Sequence, residues 1–312
     1  MATASSRPMR ICSLLPSATE IVFTLGLGDR LVGITHECDH PPEARRLPVV
    51  TRSVVDHAAS GSREIHRHVT RAVHEGSSLY ALDHTRLREL DPDLILTQEL
   101  CAVCAVAYGD VEKAVRRLPG ERTVVSLEPT TLRGILETIE RVGELAGVPE
   151  RAAAAVRALQ QRIDQVTERA GAAPTRPRVF AAEWLDPPFI GGHWVPEMVR
   201  RAGGRDGLGR EGRPSTEIAW PEVAAYDPEV VVLMPCGFDL SRTIAELDGA
   251  ARPPEWQRLS AVRAGQVYAV NGSAYFNRPG PRIVEGLEIL AEILHPDRFP
   301  RTAPHDAWRR LG

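Results

Sequence analysis

The sequence predicts an α/β protein of two lobes, each a three-layer stack of helices on a mostly parallel sheet, joined by a single long rigid helix. Three observations predict it. Short apolar runs alternate with helical stretches along the chain, which is neither an all-α nor an all-β pattern. Two Asp-Pro strand modules, Leu90-Asp91-Pro92-Asp93-Leu94-Ile95-Leu96 and Tyr226-Asp227-Pro228-Glu229-Val230-Val231-Val232-Leu233, each run into a cysteine-bearing loop, Cys101-Ala102-Val103-Cys104 and Pro235-Cys236-Gly237-Phe238. Between the modules lies an alanine-, arginine- and glutamine-rich stretch that Pro149 can open as a first-turn residue.

In order, residues 10–15 read as a strand and 17–25 as a helix, with Ser17 as its cap, Glu20 completing a capping box and Gly26-Leu27-Gly28 as its stop. Residues 31–35, 94–97 and 124–127 are apolar runs suited to a mostly parallel sheet, with helices expected over 82–90 and 111–118. Residues 131–146 are amphipathic and Gly147 interrupts them. The stretch that follows, of about 22 residues, would span roughly 33 Å as a helix. Strands are then expected at 179–183, 230–234 and 267–270 and helices near 195–202 and 283–293, with the glycine-rich 203–212 as an excursion. The expected partition is a first lobe over 1–147, a backbone helix over 148–171 and a second lobe over 172–312. Ser17-Ala18-Thr19-Glu20-Ile21 and Ser215-Thr216-Glu217-Ile218 look like a further echo between the lobes.

At 312 residues with 43% apolar content, two cores of ordinary size are expected. A net charge of -3 gives no electrostatic reason to expect nucleic acid or an anionic membrane as partner. No long apolar segment precedes Pro16 and the five cysteines do not read as a disulfide framework, so the expected location is the cytoplasm, with no direct membrane insertion.

The chemistry-bearing residues gather in loops. Cys101 and Cys104 have the spacing to share a metal or exchange redox state, and Cys38 and Cys236 also follow strand-like runs. These four thiols are the candidate metal ligands, for zinc or an iron–sulfur cluster, or a thiol redox centre; packing cysteines are the competing account, and Cys12 is expected in the core. Ser17, His36 and His193 are candidate ligand contacts, the two histidines able to hold a corrinoid cobalt or a haem iron axially. His66, His68 and His74 fall on a polar helical stretch and are expected at the surface. Trp184, Trp194, Tyr275 and Phe276 concentrate in loops although only 5% of the chain is aromatic, and with Phe238 and Arg278 they suit a flat ligand with directed polar groups. No carboxylate pair, GxSxG elbow, HExxH helix or P-loop supports an enzyme.

With those motifs in view, the chain resembles the cobalamin and iron-chelate substrate-binding proteins, through Ser13-Leu14-Leu15-Pro16-Ser17-Ala18-Thr19-Glu20-Ile21, Leu90-Asp91-Pro92-Asp93-Leu94-Ile95, Ser215-Thr216-Glu217-Ile218 and Trp256-Gln257-Arg258-Leu259-Ser260-Ala261-Val262. The resemblance covers about residues 10–296. It implies the class III substrate-binding protein fold and noncatalytic binding, between the lobes, of a small organic or metal-chelate ligand such as cobalamin or another corrinoid. It also implies contacts from loops after Leu15, Thr35, Thr97, Glu183, Met234 and Asn271. A transporter partner is left open.

Overall fold

The computed structural model describes residues 7–54, 61–74, 79–98, 111, 115, 121–249 and 252–311. The chain divides into two compact units that do not follow chain order: Met1–Ala59, Arg67–Pro129 and Glu137–Ala155 form unit 1, and Ser60–His66, Thr130–Leu136 and Val156–Gly312 form unit 2. The sequence partition at 147/148 and 171/172 followed the ends of the long helix, whereas two stretches of the N-terminal half fold with unit 2. Local apolar patterning carries no signal for such a crossing.

Unit 1 is built on a four-stranded parallel sheet in the order β2 (Leu31–Ile34), β1 (Ile11–Ser13), β5 (Leu94–Thr97), β6 (Thr123–Ser126). Its central strands β1 and β5 are buried at every position, as strands covered on both faces must be. Helices α1 (Pro16–Thr24) and α3 (His84–Leu90) flank it, and β3 (Thr51–Ser53) pairs antiparallel with β4 (Tyr80–Leu82) as a separate ribbon. Helix α2 (Ser62–His74) lies in sequence between those two ribbon strands. The helix expected over 111–118 falls largely outside the described residues.

Ser17 does not cap α1. Pro16 opens the helix, Leu15 holds the cap position without a side-chain hydrogen bond, and Ser17 is buried inside the first turn. Nor is Ser215-Thr216-Glu217-Ile218 its structural counterpart: that segment is extended, donating Ile218 N–H to Pro188 and accepting Ile190 N–H at Thr216.

The next two helices are α4 (Leu132–Leu145) and α5 (Pro149–Gly171), the latter unbroken over 23 residues. Gly147, at φ 73°, turns the chain between them, and Val148 N–H bonds back to the Gly143 carbonyl at 2.7 Å, satisfying the end of α4. Pro149 then starts α5 where a missing N–H costs nothing.

Unit 2 carries a five-stranded sheet in the order β11 (Trp308–Arg310), β10 (Val267–Val270), β9 (Val230–Leu233), β7 (Val179–Leu185), β8 (Pro188–Ile190). The three central strands are parallel and the two edges antiparallel. Helices α6 (Val195–Arg201), α7 (Trp220–Tyr226), α8 (Leu240–Gly249), α9 (Ser260–Arg263), α10 (Gly272–Tyr275) and α11 (Ile283–Leu294) complete it. The sequence reading missed both edge strands. Asp186-Pro187 is the turn of a β7–β8 hairpin where a longer loop was expected, because β8 has only three residues and all three, Pro188-Phe189-Ile190, are apolar, so the sequence carries no two-fold alternation.

The Asp-Pro modules are equivalent in detail. Each unit ends a helix, α3 or α7, on an aspartate in the left-handed region, Asp91 at φ 40° and Asp227 at φ 46°. Proline then forces extension into β5 or β9. In unit 1 the N–H groups of Asp93 and Leu94 bond to the Arg10 carbonyl; in unit 2 those of Glu229 and Val230 bond to the Arg178 carbonyl. Arg10 N–H reaches the Asp93 carboxylate at 2.8 Å and Arg178 N–H that of Glu229 at 2.9 Å. Both arginines turn Nε onto the carbonyl of the left-handed aspartate. One local device registers the first strand of each sheet against its neighbour.

Candidate functional site

In unit 1 the sheet order reverses between β1 and β5, the place where loops beyond the strand ends leave room for a ligand in open α/β sheets. A buried hydrogen-bond chain lies there: Thr19 Oγ1 donates to Ser13 Oγ at 2.8 Å, which donates to the Leu15 carbonyl, while Cys38 Sγ sits 3.0 Å from Thr19 Oγ1. Cys38 is thus buried and engaged by this hydrogen-bond chain. Cys12 is in the core as expected, and burial, with Cys38 adding, pushes its thiol up to about 12.

His36 is fixed by its neighbours. Its N–H donates to Thr51 Oγ1 at 3.1 Å, its Nδ1 lies 2.7 Å from the same oxygen, and its ring packs on Tyr80 at 5.2 Å. Thr35 Oγ1 shares Thr51 Oγ1 at 2.8 Å. Nε2 is buried and 3.3 Å from Glu37 Oε1, too poorly angled for a hydrogen bond. Ser17 is buried as a helix residue, so its hydroxyl is not at the surface of this loop.

In unit 2 the loops beyond β7, β9 and β10 are knitted together. Met234 N–H bonds to Ala182, Cys236 N–H to Glu183 and Ser273 N–H to Phe238. On them lies a row of rings: Trp184 and Phe189 face each other as cross-strand partners, Phe238 packs on Trp184 at 5.3 Å, and the Arg242 guanidinium lies 4.8 Å over Phe238. Trp184 and Phe189 are half-buried. Phe238, expected to contact ligand, is buried in this row, while Cys236 beside it is exposed.

His193 holds φ 49°, rare for a residue with a Cβ, and its ring stacks on Trp194 at 5.6 Å. Its N–H donates to the Arg213 carbonyl at 2.6 Å and its carbonyl accepts from Gly212 at 2.8 Å, so backbone bonds on both sides hold the strained conformation. Two other expected contacts belong to the interior. Phe276 is completely buried, and Trp194, 6% exposed, donates its indole N–H to the Phe276 carbonyl at 2.8 Å. A loop position in sequence does not keep a large ring out of the core when α11 closes behind it. Tyr275 and Arg278 remain half-buried, with Arg282 5.7 Å over the Tyr275 ring.

Burial lowers His193 below the ordinary 6.5, so the imidazole is neutral at physiological pH. His295 is lowered first by burial and then by Arg298 and Arg176, against a bond to the Gly203 carbonyl that favours the charged form. The folded values lie below the unfolded ones, so the unfolded chain takes up protons first as pH falls. The associated stability is present above 6.5 and is lost as pH drops through the lower folded values. Thermal melts should therefore show a falling midpoint from about pH 7 to about pH 5, and a His193→Gln/His295→Gln protein a flatter profile. Equal slopes would show that neither histidine governs the response.

Among the described residues no group of three or more His, Cys, Asp or Glu side chains is placed to hold a metal ion. Cys101 and Cys104 lie outside the described residues. The sequence reading missed Ser62, Arg63 and Glu246, which fold against the aromatic row. Ser62 N–H donates to Glu246 Oε1 at 2.7 Å, Trp184 Nε1–H donates to the Ser62 carbonyl at 3.2 Å, and Arg63 pairs with both Asp186 oxygens. His66 packs on Phe189 at 5.7 Å, leaving only His68 and His74 of the three polar-helix histidines exposed. Partners more than a hundred positions apart leave no local signature.

Paired α/β units linked by an unbroken helix, with rings and polar groups on the loops past the strand ends, define the class of two-unit substrate-binding proteins. The chain belongs to the periplasmic binding protein family, whose model matches residues 11–274. It is 24% identical to an ABC transporter substrate-binding lipoprotein of Bacillus subtilis, over 95% of this chain and 83% of that protein. It is 27% identical to a vitamin B12-binding protein of Vibrio cholerae, over 91% of this chain and 88% of that one. A solved periplasmic heme binding protein of Pseudomonas aeruginosa shares the fold at TM-score 0.72 and 23% identity, covering 98% of this chain and all of that one.

These findings overturn the expectation of a cytoplasmic protein. It rested on the lack of an evident leader, while the relatives are a lipoprotein and a periplasmic protein and the family itself is periplasmic. Among the described residues no helix is long and apolar enough to cross a membrane.

Proposed function

We propose that this protein is a noncatalytic receptor for a flat metal chelate of the corrinoid type, delivering it to a membrane ABC transporter. The observation that carries the reading is the aromatic row of unit 2, in which Trp184 and Phe189 keep half-buried faces; the same unit also carries the strained His193 and the half-buried Tyr275 and Arg278 on its loops. Ring faces supply apolar contact, an arginine orients amide or phosphate groups, and a neutral imidazole can accept a hydrogen bond or coordinate a metal centre. The vitamin B12-binding relative supports a corrinoid in particular, and the lipoprotein relative supports the transporter.

Calorimetry against cyanocobalamin, hemin and a ferric siderophore tests this. Cyanocobalamin should bind at one equivalent, and Trp184→Ala should weaken it about tenfold, the loss expected for one aromatic contact. Binding of hemin alone would replace the corrinoid with a haem, and an unaltered affinity in Trp184→Ala would remove the row from the site.

A further inference from the structure

We propose that the first turn of α2 is a releasable strap, occupying one side of the aromatic row until a flat ligand displaces it. The proposal rests on the reading that this row takes the ligand. Three contacts hold the strap: the Ser62 N–H to Glu246, the Trp184 indole N–H to the Ser62 carbonyl, and the Arg63–Asp186 pair. The second and third engage groups that a ligand on the row would disturb. Trp184 presents its only polar atom to the strap, and Asp186 sits in the hairpin turn joining Trp184 to its partner Phe189. His66, one helical turn on from Ser62, lies against Phe189 from the same segment.

The hold is built to yield. Arg63 is 77% exposed and Asp186 34%, so solvent and salt screen their attraction. Ser62 is 1% exposed, yet its hydroxyl has no hydrogen-bond partner among the described residues, an unfavourable burial that release would relieve. Ile65, 5% exposed, is the one large apolar side chain that the strap buries. By contrast, every residue of β9 in the same unit is buried and laddered between two parallel neighbours. Local opening of the strap is therefore much less costly than opening of the sheet it covers.

Amide hydrogen exchange with mass spectrometry decides the matter on the whole protein. Peptides covering 61–66 should exchange well before those covering 230–233. Arg63→Ala, and independently Asp186→Asn, should speed exchange of 61–66 by about two- to fivefold while leaving 230–233 unchanged. Exchange of both segments at one common rate, or no response to either variant, would overturn the strap. In a second arm, added cyanocobalamin should speed exchange of 61–66, and Arg63→Ala should bind it about two- to fivefold more tightly. Slower exchange with ligand, or weaker binding by Arg63→Ala, would make these residues part of the ligand site and overturn displacement. If neither cyanocobalamin nor hemin binds, the ligand assignment fails, while the first arm still decides whether the strap opens.

Discussion

Replacing Gly192 by alanine is expected to destabilise unit 2 by about 3 kcal/mol, the upper part of the range for overpacking a tight site. A Cβ there would lie 2.2 Å from the Ser215 nitrogen and 2.7 Å from its Cα. Both are backbone atoms, so no side-chain rotation can relieve the clash. The extended segment that would have to move is tied to β8 by Ile190 N–H to Thr216, by Ser215 Oγ–H to Ile190 and by Ile218 N–H to Pro188. On the other side, Gly192 N–H bonds to Glu183 at 2.8 Å and the next residue, His193, is held in its left-handed conformation. Alanine must therefore break either the edge pairing or the His193 geometry. Urea titration gives the loss directly, with Gly171→Ala as control because nothing lies within 4 Å of a Cβ there. A Gly192→Ala protein within about 0.5 kcal/mol of the parent would contradict the packing argument.

Glu197→Ala is expected to cost about 2–4 kcal/mol. The Glu197 side chain is 10% exposed and each carboxylate oxygen is used: Oε1 accepts Arg201 Nε–H at 2.8 Å, and Oε2 accepts the Leu132 N–H at 3.1 Å. Leu132 is the first residue of α4, whose opening N–H groups have no partners within the helix. Thr131 Oγ1 takes the Gly134 N–H, and Glu197 supplies the other acceptor from a helix 65 positions away. Truncation would leave one buried N–H unpaired and the Arg201 guanidinium without its carboxylate. Glu197→Gln keeps an acceptor and should lose roughly half as much. Chemical denaturation of both proteins separates the cases: equal losses would mean that charge dominates, and no loss in Glu197→Ala would mean that solvent caps the helix.

The sequence by itself determined what is written in nearest neighbours. Apolar runs with proline and glycine punctuation located the parallel strands of the two main sheets, because a doubly covered strand is apolar along most of its length. Gly147 and Pro149 marked the break between α4 and α5, since one tolerates a positive φ and the other pre-sets the helical one. The paired Asp-Pro modules announced the internal likeness of the units, because a left-handed aspartate followed by proline permits little else than a helix stop and a strand start. The assignment of site residues was less legible. Rings in loops were visible, yet Phe276 and Trp194 went to the interior, and Cys38 became a hydrogen-bonded packing thiol. Only the tertiary structure decided these, along with the docking of Ser62 and Arg63 on Trp184 and Asp186 and the capping of α4 by Glu197. Their partners are 122, 123 and 65 positions apart. Hydrogen bonds and burial across such separations depend on where whole elements come to rest, and residue periodicity records only which face of an element is apolar, not what will cover it.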